Sequence, residues 1–183
     1  MFNRYILINE IINDIEINFF TSFLGKIEVN KRNDVTIIYA SYEDEEAIND
    51  ALEAFIADSM SNMKIYYSKE FNNTDSLNKN LNFIINKFIN TNLKKSLYNE
   101  VELALELISN NDIDGLDVLI DGNTENYTIK LFIENDLNTS KAASQAFMHR
   151  NTLINQINKY YKDTGYDVRK FKDAYVVYTL LKK

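Results

Sequence analysis

The 183-residue sequence has no cysteine, and this absence removes several classes of protein at once. Without thiolates the chain cannot build a disulfide scaffold, a thiolate zinc finger, an iron–sulfur cluster or a cysteine nucleophile. Glycine is also scarce, since only four glycines occur and none belongs to a glycine-rich loop that could cradle a phosphate. Phosphoryl transfer needs such a loop together with paired metal-binding carboxylates. We therefore expect no phosphoryl-transfer enzyme, and we assign no catalytic residue, cofactor or metal to the sequence.

Long hydrophobic runs are missing as well. No stretch approaches the roughly 18 apolar residues of a membrane-spanning helix. The first residues soon meet Glu10, Asp14 and Glu16, which interrupt the apolar stretch that a secretion signal needs. We therefore expect a cytoplasmic protein with no membrane contact, long enough to bury a core of its own in one domain or two.

Charge is unevenly distributed along the chain. The whole sequence carries 20 basic and 27 acidic residues, a net charge of −7. Residues 123–183 hold 10 of the basic and 6 of the acidic residues, a net +4, which leaves −11 for residues 1–122. Because phosphate binding depends on the local potential at the contact surface, this asymmetry favours an acidic body joined to a module that faces nucleic acid.

Hydrophobic periodicity predicts both helix and strand near the N-terminus. Apolar residues at helical spacing predict a buried-face helix over residues 8–23, and Gly25 stands where that helix would end. Runs rich in β-branched residues predict strands at residues 35–40 and 63–67. The first part of the chain is therefore expected to mix the two kinds of element.

Three more helices are predicted between residues 43 and 109. The first covers residues 43–60, with Ser41 as its capping candidate and an acidic first turn that the helix dipole explains better than a metal site does. The others cover residues 75–91 and 96–109. We assign residues 1–94 to a small α+β domain.

The helical connector, residues 95–122, contains a pattern similar to a calcium-binding loop. Positions 1, 3, 5, 6 and 12 of such a loop would be Asn110, Asp112, Asp114, Gly115 and Asp121. The closing ligand is Asp and not the longer Glu, and the usually apolar eighth position is Asp117. We interpret the segment as an Asp/Asn/Gly-rich turn between helices.

The last segment, residues 123–183, predicts an all-α domain. A helix at residues 126–135 is followed by a short alanine-rich helix at residues 141–147, for which Thr139 or Ser140 can serve as the cap. Small side chains in that helix would let another helix cross it closely.

A longer helix, about residues 150–164, follows a polar break and ends at Gly165. Its apolar face carries Leu153, Ile157 and Tyr160. Its opposite face carries Asn151, Thr152, Asn155, Asn158, Lys159 and Lys162. Amides can read base edges while lysines meet phosphates, so this face suits the major groove of DNA. The alternative interpretation is an ordinary solvated face.

Four short strings in this segment resemble one known family. They are Leu-Asn-Thr-Ser-Lys-Ala-Ala at residues 137–143, Met-His-Arg-Asn-Thr-Leu at 148–153, Thr-Gly-Tyr-Asp at 164–167 and Phe-Lys-Asp-Ala at 171–174. Their order and spacing resemble the C-terminal helix-turn-helix of PucR/CdaR-type bacterial transcription regulators. The resemblance covers about residues 124–183. The α+β unit upstream is similar in arrangement to the family's degenerate GGDEF-like domain, here shortened.

The resemblance implies sequence-selective binding to double-stranded DNA. It implies that Ser140 and Lys141 lie near the DNA backbone and that Arg150, Asn151 and Thr152 begin the recognition helix. His149 would help to fix the turn, and on the residues alone this single histidine is a structural hydrogen-bonder and not a catalyst.

Two departures from the family pattern bear on function, the first on DNA affinity and the second on ligand sensing. Many members have Tyr-Arg at the positions of Asn155 and Gln156, so one cationic contact is lost here. The family's ligand-sensing N-terminal domain would need more chain than is present, and no small-molecule effector is assigned.

The sequence therefore predicts an α+β protein with a C-terminal helix-turn-helix domain that acts as a DNA-binding transcriptional regulator. A homodimer is expected, because dimers pair two half-sites about 34 Å apart. The apolar residues beyond the recognition helix are assigned mainly to packing within the domain: Phe171, Ala174, Tyr175, Val177, Tyr178 and Leu181. The alternative function is a protein-interaction or oligomerisation module that keeps the fold but has lost DNA affinity.

Overall fold

The computed structural model describes residues 2–59, 62–120 and 126–182. The chain divides into two compact units, residues 1–100 and residues 101–183. Each unit has secondary structure and a buried core of its own, and the two are described separately below. The predicted boundaries at residues 94 and 122 stay a prediction.

The first unit is built on a five-stranded sheet. Its strands are β1 (Arg4–Ile8), β2 (Glu28–Arg32), β3 (Val35–Ala40), β4 (Ile65–Tyr67) and β5 (Leu97–Tyr98). They lie in the order β2-β3-β1-β4-β5, and all neighbours are antiparallel except β4 and β5, which are parallel. The predicted strands at residues 35–40 and 63–67 correspond to β3 and β4.

The predicted N-terminal helix began too early, because Ile8 belongs to the central strand β1. All five of its residues are buried, because β3 and β4 flank its two edges and helices cover both faces of the sheet. Ile8 pairs with Thr36 of β3 and Ile65 of β4, so it belongs to the sheet and not to a helix. The helix that follows ends at Gly25 as predicted, but it begins only at Asp14.

Helices pack on both faces of this sheet. They are α1 (Asp14–Leu24), α2 (Glu45–Ser59) and α3 (Thr74–Asn90). Phe20 of α1 and Leu52 of α2 join the core on one face with Ile6 of β1. On the other face the ring of Phe88 in α3 lies 6.3 Å from that of Tyr66.

The cap of α2 differs from the prediction. The side chain of Asp44 accepts hydrogen bonds from the amides of Glu46 and Ala47, at 3.1 and 3.0 Å. A short carboxylate directly before the helix satisfies two of its free amide groups, so the predicted Ser41 is not the cap.

One carboxylate is buried in the first unit. Glu100 is 6% exposed and its Oε1 accepts a 2.9 Å hydrogen bond from the amide of Lys69. Burial raises the pKa of Glu100, and the favourable contacts with Lys69 offset only part of that effect.

The second unit is helical in its described residues. The elements are α4 (Glu100–Ser109, starting at the last residue of the first unit), a 3₁₀ helix (Leu116–Ile120), α5 (Asn126–Glu134), α6 (Thr139–Gln145), α7 (Arg150–Thr164) and α8 (Phe171–Leu181). The fold is thus α+β with a C-terminal helical region, as the sequence predicts. The predicted helices at residues 126–135 and 150–164 correspond to α5 and α7.

The packing predicted for the last helix is correct only in part. Ala174 and Val177 are buried, whereas Phe171 is 78% exposed and Tyr175 is 45% exposed. Their rings stack with centroids 6.5 Å apart. These two residues therefore lie mainly on the surface of α8 and not in the core.

Candidate nucleic-acid interface

Two helices, α6 and α7, form the helix-turn-helix, and α6 also packs against α5. The buried residues of α6 are small, since they are Ala142 and Ala143, at 0% and 3% exposure. Asn138 caps α6, because its side chain accepts from the amides of Ser140 and Lys141 at 3.0 and 3.1 Å. The predicted caps, Thr139 and Ser140, are instead the first two residues of the helix.

The turn between α6 and α7 contains a left-handed residue. Phe147 has φ of 51° and is 97% exposed. A positive φ brings the Cβ of an L-residue close to its own backbone, so this conformation is strained for phenylalanine. The turn places His149 at the N-cap position of α7, where its carbonyl accepts from the amide of Leu153 at 3.2 Å.

His149 fixes the start of α7 through its backbone alone. Its imidazole is exposed and makes no capping hydrogen bond within the described residues. A turn-fixing role for the imidazole, which the resemblance implied, stays a prediction.

The inner face of α7 holds the helix against the rest of the unit. Leu153, Ile157 and Tyr160 are buried as the periodicity predicts. Thr164 at the end of α7 is buried too, and its hydroxyl donates to the carbonyl of Tyr160 at 2.7 Å. Gly165 then takes φ of 80° and ends the helix in the left-handed conformation.

The opposite face of α7 is open to solvent. We call it the outer face, and it consists of Asn151, Thr152, Asn155, Asn158, Lys159 and Lys162, all exposed. The remaining predicted site residues, Ser140, Lys141, His149 and Arg150, are exposed as well. All ten residues, the nine predicted site residues and Asn158, are therefore accessible, and most of them lie on α7.

Arg150 lies at the junction of the two helices. Its Nε donates a 3.1 Å hydrogen bond to the hydroxyl of Thr139, the first residue of α6. The partner is neutral, so the guanidinium keeps its charge uncompensated by this contact. The side chain thus connects the N-termini of α6 and α7 while it remains exposed.

The two residues that depart from the family pattern have different surroundings. Asn155 is exposed on the outer face, whereas Gln156 is half-buried and lies one-third of a turn away from it. Only the first of these positions belongs to the surface that could face DNA through α7.

The turn between α7 and α8 contributes a cation that the sequence interpretation missed. Arg169 donates from Nε to Oδ1 of Asp167 at 2.6 Å and from Nη1 to Oδ1 of Asn158 at 3.1 Å. Burial by itself would raise the pKa of Asp167, but its contacts with Arg169 lower it below the ordinary value. The Asp-Val-Arg string at residues 167–169, which begins two residues after Gly165, was the available signal.

The calcium interpretation is tested only in part. Residues 116–120 form the 3₁₀ helix with Leu116 and Leu119 buried, and Asp121 lies outside the described residues. In the part of the chain that the structure describes, no three His, Asp or Glu side chains gather where they could hold a metal ion.

Across residues 2–59, 62–120 and 126–182, no helix combines the length and apolarity needed to cross a bilayer.

The geometry defines a helix-turn-helix unit, and the comparisons give it a family. Residues 127–182 match the PucR C-terminal helix-turn-helix domain, so the chain carries a domain of this kind. The match confirms the resemblance drawn from the strings in this segment. The GGDEF-like resemblance of the upstream unit stays a prediction.

Two individual proteins are similar to the chain. It is 41% identical over 51 residues to the uncharacterized protein YxkF of Bacillus subtilis strain 168. That match covers 28% of the chain and 17% of YxkF, so the chain spans less than a fifth of this curated relative. The regulator of polyketide synthase expression from Bifidobacterium adolescentis superposes with a TM-score of 0.47 and 16% identity, covering 99% of this chain and 79% of that one.

Proposed function

We propose that the chain is a sequence-specific DNA-binding transcriptional regulator of the PucR/CdaR type, that it is not an enzyme, and that it acts in the cytoplasm. Its recognition helix is α7, which enters the major groove with the outer face toward the bases. The observation that carries this proposal is the exposure of that face on α7, the second helix of the helix-turn-helix in a PucR-type domain.

The chemistry of the outer face supports the proposal. Three asparagine amides and a threonine hydroxyl can donate to and accept from base edges, while Lys159 and Lys162 add positive charge. The first carboxylate of α7 is Asp163, near the end of the helix. The net +4 of residues 123–183 favours phosphate even though the chain as a whole is acidic.

A homodimer is part of the proposal. One helix-turn-helix reads only a few base pairs, and a dimer doubles the contact by pairing two half-sites about 34 Å apart. We assign dimerisation to the α+β unit. Light scattering of the full chain, with and without DNA, measures the stoichiometry directly.

The first experiment is DNA binding by the full chain. Wild-type protein selects its preferred duplex from a random library, and fluorescence anisotropy then gives the affinity as salt is varied. We expect log affinity to fall steeply with log salt, by a slope of about −0.9 for each phosphate neutralised. Arg150→Ala should lose about 1–3 kcal/mol of binding free energy.

A matched control is Lys182→Ala, which removes one positive charge from the last turn of the domain and should change affinity little. The competing function is the protein-interaction module without DNA affinity, which the acidic first part and the lost arginine favour. If wild type and Arg150→Ala bind duplex DNA equally poorly at low salt, the interaction module replaces the regulator.

A further inference from the structure

Arg169 is held in one orientation by two acceptors. Its Nε lies 2.6 Å from Oδ1 of Asp167, two residues earlier in the same turn, and its Nη1 lies 3.1 Å from Oδ1 of Asn158 on α7. The same Asp167 oxygen also accepts from the backbone amide of Arg169 at 3.2 Å. The side chain is thus tied both to its own turn and to the outer face of α7.

The guanidinium keeps most of its donors for another partner. A guanidinium has five N–H groups in a planar fork, and the two side-chain bonds occupy two of them. The Arg169 side chain is 49% exposed, although it is anchored at Nε and Nη1. Because Asn158 belongs to the outer face, the guanidinium lies beside the surface proposed to enter the groove.

We propose that Arg169 is a preorganised contact to the DNA phosphate backbone beside the recognition helix, and that Asp167 and Asn158 are its positioning residues. This inference rests on the proposed function of α7. It extends the interface from the helix-turn-helix to the turn between α7 and α8.

The role of Asp167 is the unusual part of the proposal. A carboxylate close to DNA repels phosphate, so on charge alone Asp167 would weaken binding. Its contribution must therefore come from order: a long arginine side chain loses rotamer freedom on binding, and a side chain fixed in advance loses less. The two effects therefore predict opposite changes in DNA affinity when this carboxylate is removed. Loss of the ordering of Arg169 would weaken binding, whereas loss of the negative charge would strengthen it.

The experiment measures anisotropy with the full chain on its selected duplex and on a scrambled duplex of equal composition. Arg169→Ala should weaken binding about tenfold on both duplexes, because a phosphate contact carries no sequence information. Asp167→Asn should weaken binding a few-fold although it removes a negative charge. Arg169→Lys, which keeps the charge but loses the planar fork, should fall between wild type and Arg169→Ala.

A double-mutant cycle separates positioning from a general structural role. If Asp167 acts through Arg169, then Asp167→Asn in the Arg169→Ala background should no longer weaken binding and should strengthen it slightly, as charge alone predicts. Asn158→Ala should likewise have a smaller effect in that background than in wild type. Melting curves identify any variant that unfolds the turn. If Asp167→Asn does so, the cycle between Asn158→Ala and Arg169→Ala tests the positioning role, because Asn158→Ala leaves the hydrogen bonds within the turn intact.

The outcomes distinguish this inference from the proposed function. The inference is overturned if Arg169→Ala binds DNA as tightly as wild type, or if Asp167→Asn binds more tightly than wild type. In either case the proposed regulator function still stands if Arg150→Ala loses DNA affinity. Failure of the wild-type chain to bind duplex DNA overturns both. Lys182→Ala, at the far end of the 11-residue α8, is the charge-matched control and should change affinity less than about twofold.

Discussion

The backbone amide of Asp167 donates a 2.8 Å hydrogen bond to Oδ2 of Asp173. This bond joins the turn after α7 to the third residue of α8, where the helix dipole also favours a carboxylate. Burial raises the pKa of Asp173 although the carboxylate accepts this bond. The aspartates of the Thr-Gly-Tyr-Asp and Phe-Lys-Asp-Ala strings are therefore hydrogen-bonded to each other in the structure. Their bond connects the turn after α7 to the first turn of α8.

Removing the acceptor should loosen this junction. We expect Asp173→Ala to lower the free energy of unfolding by about 1–2 kcal/mol, because the amide of Asp167 is left without its partner. Asp173→Asn keeps an oxygen acceptor at the same place and should lose less than half as much. Urea denaturation followed by circular dichroism measures both variants, and equal stability of Asp173→Ala and wild type would contradict the role of this bond.

Replacing Phe147 by glycine should stabilise the protein. Phe147 has φ of 51° and is 97% exposed, so its ring contributes almost no buried area while its backbone is strained. Relief of about 1–2 kcal/mol of strain is partly offset by the greater freedom of glycine in the unfolded chain, which leaves a gain of about 0.5 kcal/mol. Phe147→Ala keeps the Cβ and serves as the control, with no expected gain in urea denaturation.

The cap of α6 can be tested against its neighbours. Asn138→Ala removes the acceptor for two amides and should cost about 1 kcal/mol of folding free energy. Asn138→Asp keeps the acceptor and should stay near wild type. Ser140→Ala removes an exposed hydroxyl from the same turn and should have little effect. Thermal melting ranks the three variants, and a larger loss in Ser140→Ala than in Asn138→Ala would contradict the observed cap.

The buried Glu100 should make stability depend on pH. Its pKa is raised by burial above the ordinary value of 4.5, so the folded state binds a proton more readily than the unfolded state does. Stability contributed by this group therefore falls as pH rises from that value through the raised folded pKa. Glu100→Gln keeps an acceptor for the amide of Lys69 and removes the charge, so it should melt at a higher temperature than wild type at about pH 7.5.

The same comparison at low pH supplies the control for Glu100. At about pH 4 the carboxyl is largely protonated in both states, so the melting temperatures of Glu100→Gln and wild type should converge. A constant difference between the two proteins from about pH 4 to about pH 8 would show that packing, and not the charge, accounts for the effect.

The helix-turn-helix could be predicted from the sequence because its signals are local. The buried residues of α7 recur at helical spacing, and Gly25 and Gly165 both mark helix ends in the structure. The outer face followed from the same periodicity, and every residue assigned to it is exposed. Whether these residues contact DNA stays a prediction.

The sheet was harder to predict because pairing is a tertiary property. Strand β1 is buried on both faces, so its residues do not alternate between apolar and polar, and Ile8 fits the helical spacing of the isoleucines that follow. Strand β2 is a mostly exposed edge whose sequence, Glu-Val-Asn-Lys-Arg, has little strand character. Strand β5 has only two residues and exists through its parallel pairing with β4.

The predictions of the helix caps and of the C-terminal packing were wrong in part, because both depend on the folded backbone and not on residue type alone. Asn138, Thr139 and Ser140 can all cap a helix, and only the backbone conformation selects Asn138. Phe171 was assigned to the core from its apolar character, but it is the first residue of α8 and lies beyond the buried stripe. Arg169 was missed because its partners, Asp167 and Asn158, meet only when α7 and the following turn fold together.

The paired alanines of α6 have an evolutionary consequence. Ala142 and Ala143 are buried and have no side-chain rotamers, so the buried surface of α6 at these positions cannot readjust. The outer face of α7 is exposed and is not part of this buried surface. Under the proposed function, a descendant of this protein could therefore acquire a new target site through a few replacements on the outer face, with the buried surface of α6 inherited intact.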